Sequence, residues 1–307
     1  MELLFILKDI ILPVFILMGI GFFIQRKLSL NIQTLARLNI YFLVPGFIFA
    51  KLYSTHFSAK LFLNVLLFFI VYVAILYVIS YFIGKAIGLE KAKNTTFTNS
   101  VMFFNSGNYG VPVNDLVFKS DPFAMSIQVI MLTMQNIFVF SYGIFSLQAV
   151  NTGKLKAMLN YFKMPVLYAM VFGISLNMLD IAIPSFIFVP ANYIADGMVA
   201  LALFTLGAQV AEIKFTSGLS KVYCSLLLRL IIGPAIALGI IFLFGMKGVI
   251  AQALFIASAM PTSVNSAVIA EEYNNHPHFA AQIVLFSTFS SAITVTFIIY
   301  LSKIFFA

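Results

Sequence analysis

Two short stretches of the sequence combine proline with amide and hydroxyl side chains inside otherwise apolar segments. They read FFNSGNYGVPVND (103–115) and MPTSVNSA (260–267). Proline removes a backbone donor and glycine lowers helix stability, so each stretch predicts a helix that breaks near its middle. A half-helix N-terminus presents N–H donors that suit an anion, whereas unwound carbonyls suit a cation. The chemistry expected at both stretches is therefore the binding of a small solute.

The residues expected around the two breaks are small or carry amides and hydroxyls. Amides donate and accept hydrogen bonds without a fixed charge, so they can hold a carboxylate without a buried lysine. The alternative is that proline only kinks each helix and the amides join neighbouring helices. Two such stretches at matching places favour a substrate site, made of Asn105, Gly107, Asn108, Pro112 and Asn114 in the first and Pro261, Thr262, Ser263 and Asn265 in the second.

Two further polar residues lie deep in apolar segments. Arg229 lies roughly 16 Å into its segment, where an arginine costs about 2.5–3.5 kcal/mol on insertion scales. It is expected either to be a counter-charge for the substrate or to donate to backbone carbonyls, and its sequence context does not separate these. Gln135 is expected either to line the same path or to join two helices by hydrogen bonds.

The composition of the chain is that of a polytopic membrane protein. Of its 307 residues, 62% are hydrophobic and 9% are charged, whereas soluble domains carry about 25% charge. The net charge of +8 comes from scattered Lys and Arg, which excludes a nucleic-acid patch as its cause. One cysteine, Cys224, allows no intrachain disulfide.

We predict ten membrane spans and therefore an all-α fold. Eleven basic residues fall after the odd-numbered spans and six fall on the other side. By the positive-inside rule, both termini are expected outside the cytoplasm, in a multi-pass protein of the cell membrane. The spans are expected near 10–25, 37–53, 61–83, 94–118, 122–147, 164–180, 193–211, 219–244, 248–270 and 279–302.

The two halves of the chain show weak internal similarity. Pro13-Val14 and Pro165-Val166 each open an apolar span, and Pro112 and Pro261 fall in the fourth and ninth spans. A repeat of five helices inserts with opposite polarity, because five is odd. The sequence thus predicts one membrane unit of two inverted repeats, residues 1–150 and 151–307, with the chance alternative still open.

Five segments, in order, resemble the auxin efflux carrier family of membrane transporters, in its prokaryotic type. They are RLNIYFLVPGFIFAKL (37–52), FFNSGNYGVPV (103–113), ALALFTLGAQVAE (200–212), RLIIGPAIAL (229–238) and ASAMPTSVNSAVIAEEYN (257–274). The resemblance implies two inverted five-helix repeats, with broken helices 4 and 9 crossing at mid-membrane beside the substrate. It also implies a scaffold domain and a transport domain that move relative to each other, and a homodimer is consistent with it.

The expected function is secondary active or facilitative transport of a small organic anion by alternating access. The resemblance suggests a carboxylate such as malate, malonate or an auxin-like acid. No G-x-x-x-x-G-K-[ST] motif for ATP is present. No cofactor or metal is expected, and a coupling ion, Na⁺ or H⁺, stays open. The alternatives are a passive channel and, less favoured, an intramembrane enzyme, since all three histidines fall in connections.

Overall fold

The computed structural model describes residues 2–54, 59–119, 121–148, 165–213 and 219–306, and these are helical almost throughout. Within these described ranges, seven helices are long and apolar enough to cross a membrane, which makes the chain a multi-pass membrane protein. These seven are Leu3–Leu28, Ile32–Ser54, Lys60–Ala86, Pro122–Leu147, Ser185–Glu212, Ser220–Leu243 and Pro277–Phe306.

We number the helices by the predicted span that they occupy, with a and b for the two parts of an interrupted one. Four of them contain a π-helical turn within an otherwise α-helical run. The bounds are α1 (Glu2–Ile6, Leu7–Ile11, Leu12–Leu28), α2 (Ile32–Leu38, Asn39–Leu43, Val44–Ser54), α3 (Ala59–Ala86), α4a (Lys91–Met102), α4b (Val111–Phe118, preceded by the π turn Ser106–Gly110), α5 (Pro122–Phe138, Val139–Gly143, Ile144–Gln148), α6 (Pro165–Met178), α7 (Ser185–Glu212), α8 (Ser220–Leu227, Leu228–Ile232, Gly233–Leu243), α9a (Gly248–Ser258), α9b (Val264–Glu272) and α10 (Pro277–Phe306).

The helices overlap the predicted spans, with two clear differences in length. The first span was predicted from residue 10, but α1 begins at Glu2, and the seventh was predicted from residue 193, but α7 begins at Ser185 and contains Pro190. The predicted long basic connection, residues 148 to 163, lies almost entirely outside the described residues, as does Lys214.

Of the five π turns within the described residues, all but Val139–Gly143 end two residues before a proline. A proline ring clashes with the carbonyl four residues earlier and leaves it without a backbone donor. That carbonyl lies within the wider π turn in each case, so the helix continues past the proline without a break. The pairs are Leu7–Ile11 with Pro13, Asn39–Leu43 with Pro45, Ser106–Gly110 with Pro112, and Leu228–Ile232 with Pro234.

The location predicted for the first helix break is therefore corrected by the structure. Pro112 lies inside the helical run 106–118, and the interruption comes earlier, at residues 103–105. Pro261 does lie within the second interruption, residues 259–263. A π turn absorbs Pro112, whereas the residues at 103–105 adopt extended or irregular backbone, with Phe103 at φ −88° and ψ 101°.

The helices pack as two bundles. The small bundle contains α1, α2, α6 and α7, and the large bundle contains α3, α4a, α4b, α5, α8, α9a, α9b and α10. Within the small bundle, α1 and α7 approach to backbone contact. A Cβ atom on Gly21 would lie 2.0 Å from the Phe204 carbonyl oxygen, and one on Gly207 would lie 1.8 Å from that of Met18. Glycine at both positions is what permits this packing, as is common between membrane helices.

Candidate functional site

The two interruptions lie against each other and pair like strands. Phe104 and Thr262 form an isolated antiparallel bridge. The Asn105 amide donates to the Pro261 carbonyl at 2.7 Å, and the Ser263 amide donates to the Phe103 carbonyl at 2.7 Å. Each broken helix thereby satisfies backbone groups of the other, which explains how two interruptions persist in an apolar interior.

Side chains from α5, α8 and the second interruption supply donors to the end of α4a. The last carbonyls of a helix have no intrahelical partner, and burial makes each one costly unless it is paired. Three side chains donate to them: Thr262 Oγ1 to Ser100 at 2.9 Å, Arg229 Nη1 to Val101 at 3.0 Å, and Gln135 Nε2 to Met102 at 3.4 Å. These carbonyls, which the sequence suggested for a cation, are thus occupied by protein donors.

Arg229 joins the ends of both first half-helices. Its guanidinium is fully buried, and besides Val101 of α4a it donates to the carbonyl of Ser258, the last residue of α9a, and to the Tyr72 hydroxyl. The Tyr72 hydroxyl also donates to the Ser258 carbonyl at 3.1 Å. The guanidinium carbon lies 5.1 Å from the centre of the Phe104 ring, a cation–π distance. Of the two roles predicted for Arg229, this geometry is that of a donor to carbonyls.

A small polar cavity lies on the other side of the crossing, between the two bundles. Its volume is about 50 Å³, which holds roughly four water molecules. Its lining comes from α2 and α7 of the small bundle and from α4b, α5, α9b and both interruptions of the large bundle. The lining residues are Ala36, Asn39, Val44, Phe104, Asn105, Ser106, Gly107, Asn108, Leu132, Gln135, Asn136, Val139, Thr205, Gln209, Ser263, Val264 and Asn265.

Six residues predicted for the site line this cavity, and five do not. Those that line it are Asn105, Gly107, Asn108, Gln135, Ser263 and Asn265. Pro112 and Pro261 shape the backbone next to it, Thr262 bonds to Ser100, and Arg229 bonds to the half-helix ends. Asn114 is buried with both amide atoms unpaired among the described residues, and nothing in the structure explains it.

Comparison with known proteins identifies the chain. The model of a family described as membrane transport protein matches residues 6–299. The chain belongs to this membrane transport protein family. The resemblance to auxin efflux carriers is confirmed as well, because curated relatives include auxin efflux carrier components 1 and 6 of Arabidopsis thaliana.

The extent of these similarities differs between relatives of this transport protein. Component 1 is 27% identical over 143 residues, which are 45% of this chain and 23% of that carrier. Component 6 is 29% identical over 123 residues, 39% of this chain and 21% of that carrier. An uncharacterized transporter of Methanocaldococcus jannaschii is 26% identical over 305 residues, 92% of this chain and 94% of that protein. The chain thus spans less than a quarter of these two plant carriers but nearly all of the archaeal protein.

Five polar cavity residues of the transport protein were not among the predicted site residues. They are Asn39 of α2, Ser106 of the π turn before α4b, Asn136 of α5, and Thr205 and Gln209 of α7. Asn136 lies next to Gln135 in the same apolar span. Thr205 and Gln209 lie four residues apart on one helix face, which is the available signal in the sequence. Asn39 shows no such pattern, because it lies near the start of its span beside Arg37.

The electrostatics of this cavity come from the backbone. None of the described lining residues is charged. Gly107 and Asn108 lie in the first turn of the run that leads into α4b, and Val264 and Asn265 lie in the first turn of α9b. Helix N-termini carry about half a positive charge each, and their first amides lack intrahelical backbone acceptors. At α9b the N-cap Ser263 Oγ accepts from the Asn265 amide at 3.3 Å, so this end acts on the cavity mainly through its dipole. Two such ends at one neutral cavity favour a single negative charge.

Proposed function

We propose that this membrane transport protein carries a small organic anion by alternating access between its two bundles. The observation that carries the proposal is the convergence of two half-helix N-termini and neutral amides at a cavity that both bundles line. A carboxylate suits such a site because amide donors and helix dipoles compensate one charge. Malate, malonate and auxin-like acids are the candidates that family membership raises.

The position of the cavity between the bundles supports the following transport cycle. The small bundle is the scaffold, and the large bundle moves past it, exposing the crossing of α4a–α4b and α9a–α9b to each side in turn. Residues 1–150 and 151–307 are the two inverted five-helix repeats, with the crossing at mid-membrane and both termini extracytoplasmic. The cavity of about 50 Å³ must widen for a solute larger than roughly four heavy atoms, which a shift of one bundle against the other provides.

Two other functions remain weaker candidates. A passive channel requires a continuous polar path, whereas this cavity is small and lies between two bundles. An intramembrane enzyme requires a nucleophile with a base or a metal centre, and family membership favours transport. Energy would come from the solute gradient, the membrane potential, or a Na⁺ or H⁺ gradient.

The test is uptake into proteoliposomes by Asn108→Ala and Asn265→Ala variants. Hydrogen bonds to a charged group are worth about 1.5–3 kcal/mol, so each variant is expected to weaken carboxylate binding by about 10- to 100-fold. The measurement is the concentration dependence of uptake of radiolabelled malonate and radiolabelled indole-3-acetate, with and without a sodium or pH gradient.

The matched control for these variants is Asn192→Ala. Asn192 is also a half-buried asparagine within a helix, but it does not line the cavity. If both cavity variants are purified as monodisperse protein and keep the wild-type affinity, the two asparagines do not bind the solute. Saturable counterflow in the wild type supports a carrier. Unsaturable single-channel current would instead show that the protein is a channel.

A further inference from the structure

The cavity has two walls of different character. The wall from the large bundle carries the half-helix ends, with Asn105 and Asn108. The wall from the small bundle consists of Ala36, Asn39 and Val44 on α2 and Thr205 and Gln209 on α7. The proposed function accounts for the first wall, since a carboxylate binds there. It leaves the polar groups of the second wall without a role.

Three side chains on the second wall have buried polar atoms that the fold does not satisfy. Asn39 is 3% exposed, and its Oδ1 and Nδ2 have no hydrogen-bond partner within the described parts of the chain. The same holds for Thr205 Oγ1 and Gln209 Oε1. Buried polar atoms are normally paired with protein groups or water, so three unpaired side chains on one cavity wall are available to a ligand that displaces water from the cavity.

The behaviour of other helical threonines sharpens this point for Thr205. A buried threonine in a helix ordinarily donates to the carbonyl four residues earlier. Thr133, Thr288 and Thr296 all do so, at 2.7, 2.7 and 2.6 Å. Thr205 is fully buried at the cavity and has no such bond. Its hydroxyl is therefore free to bond a group inside the cavity.

We propose that Asn39, Thr205 and Gln209 form a second subsite, which binds an uncharged polar group at the far end of the carried anion. The solute class is a short acid with one ionised carboxylate and, opposite to it, a hydroxyl or a protonated carboxyl. Hydroxy acids and the monoanions of short dicarboxylic acids meet this description. This inference rests on the proposed function and narrows its substrate class.

Charge and shape both limit the solute to this class. A second ionised carboxylate would face a wall of neutral side chains with no positive group, and burying an unpaired charge is costly. An aromatic acid would place an apolar ring against three unpaired polar side chains and leave them unsatisfied. Among the described residues of that wall, Ala36 and Val44 are the ones that offer apolar contact.

The test compares three short acids of similar size on purified protein. Propionate has an apolar far end, lactate adds a hydroxyl, and malonate adds a second carboxyl. Affinity is read from the dependence of the melting temperature on the concentration of each acid. We expect lactate and malonate to bind at least about tenfold more tightly than propionate, which corresponds to one satisfied hydrogen bond or more. Malonate is also expected to gain affinity as the pH falls, because its monoanion becomes more abundant.

The decisive variant is Thr205→Val, which replaces the hydroxyl with a methyl group of the same shape. It is expected to bring lactate to within about twofold of propionate, while the affinity for propionate rises or stays the same, because its methyl group no longer faces an unpaired hydroxyl. Gln209→Met, with a side chain of similar length, is the second variant if Thr205→Val does not fold. The matched control is Thr98→Val, since Thr98 is a buried threonine with an unpaired hydroxyl that does not line the cavity.

The outcomes separate the two proposals. If none of the three acids shifts the melting temperature of the wild type, the proposed function fails and the subsite fails with it. If the acids bind but propionate equals lactate and malonate, the subsite alone is wrong. The subsite proposal is also wrong if Thr205→Val and Gln209→Met keep the wild-type preference for lactate over propionate, or if Thr98→Val removes that preference.

Discussion

Replacing Arg229 with methionine is expected to abolish transport and to lower the melting temperature of the protein by roughly 5–20 °C. The variant leaves the carbonyls of Val101 and Ser258 without the guanidinium that pairs them, and the Ser258 carbonyl keeps only the Tyr72 hydroxyl. Each buried acceptor that loses its partner costs about 1–3 kcal/mol. These two carbonyls belong to the last turns of α4a and α9a, so both first half-helices are affected together.

The loss of transport follows from charge as well as from stability. Each helix C-terminus carries about half a negative charge, so the two ends together balance one arginine. Without Arg229, that negative charge lies across the crossing from the cavity that is proposed to hold an anion. Solute affinity is therefore expected to fall even in protein that still folds, which thermal melts and proteoliposome uptake measured on the same preparation will show.

Two further variants separate the contributions of charge and geometry. Arg229→Lys keeps the charge, but a point-like ammonium cannot reproduce the fork that reaches two carbonyls, so intermediate loss is expected. Tyr72→Phe removes one neutral donor and is expected to cost about 1 kcal/mol. Tyr77→Phe on the same helix is the control, because Tyr77 is 39% exposed. Uptake by Arg229→Met above half of the wild-type rate would refute this role of the arginine.

Alanine at Gly207 is expected to separate α1 from α7 and to destabilise the small bundle by about 1–3 kcal/mol or more. The added Cβ would lie 1.8 Å from the Met18 carbonyl oxygen, and backbone cannot yield as a flexible side chain can. Gly21→Ala is expected to act alike, since its Cβ would lie 2.0 Å from the Phe204 carbonyl oxygen. Because Thr205 and Gln209 lie on the same part of α7, solute affinity should fall along with stability.

The matched controls for this prediction lie on the same two helices. A Cβ on Gly197 of α7 or on Gly19 of α1 would meet nothing within 4 Å. Alanine at either position is expected to leave the melting temperature unchanged or slightly raised, because alanine favours helix over glycine by about 1 kcal/mol. Melting curves of purified protein in detergent compare all four variants. Equal melting of Gly207→Ala and Gly197→Ala would show that the close approach of α1 and α7 is not needed.

Much of the fold could be predicted because its signals are local. A run of about 20 apolar residues identifies a membrane helix without knowledge of its neighbours. Proline and glycine among amides marked two segments as unusual, and Asn105, Asn108, Ser263 and Asn265 from those segments do line the cavity. Local rules misplaced the first break, because whether a proline breaks a helix or is absorbed by a π turn depends on the partners of the freed carbonyls.

The remaining site residues could not be predicted because they depend on contacts between distant segments. Thr262 was expected in the site but donates to Ser100, across the crossing. Asn39 and Thr205 line the cavity because α2 and α7 pack together in the small bundle, opposite the two breaks. In an apolar span, a polar residue that lines the cavity looks the same as one that bonds to a neighbouring helix. Only the neighbours in space distinguish the two.

By itself, the sequence determined that this is an all-helical membrane transport protein with two polar interruptions, because hydropathy, proline chemistry and short motifs act within a few turns of one helix. The tertiary structure alone decided that Arg229 pairs with carbonyls of two half-helices and that the small bundle adds a second polar wall. The physical reason is that hydrogen bonds between Arg229 and Val101, or a cavity shared by Asn39 and Asn265, join residues more than one hundred positions apart. Such pairings form only when the helices pack together, and no local pattern in the sequence predicts them.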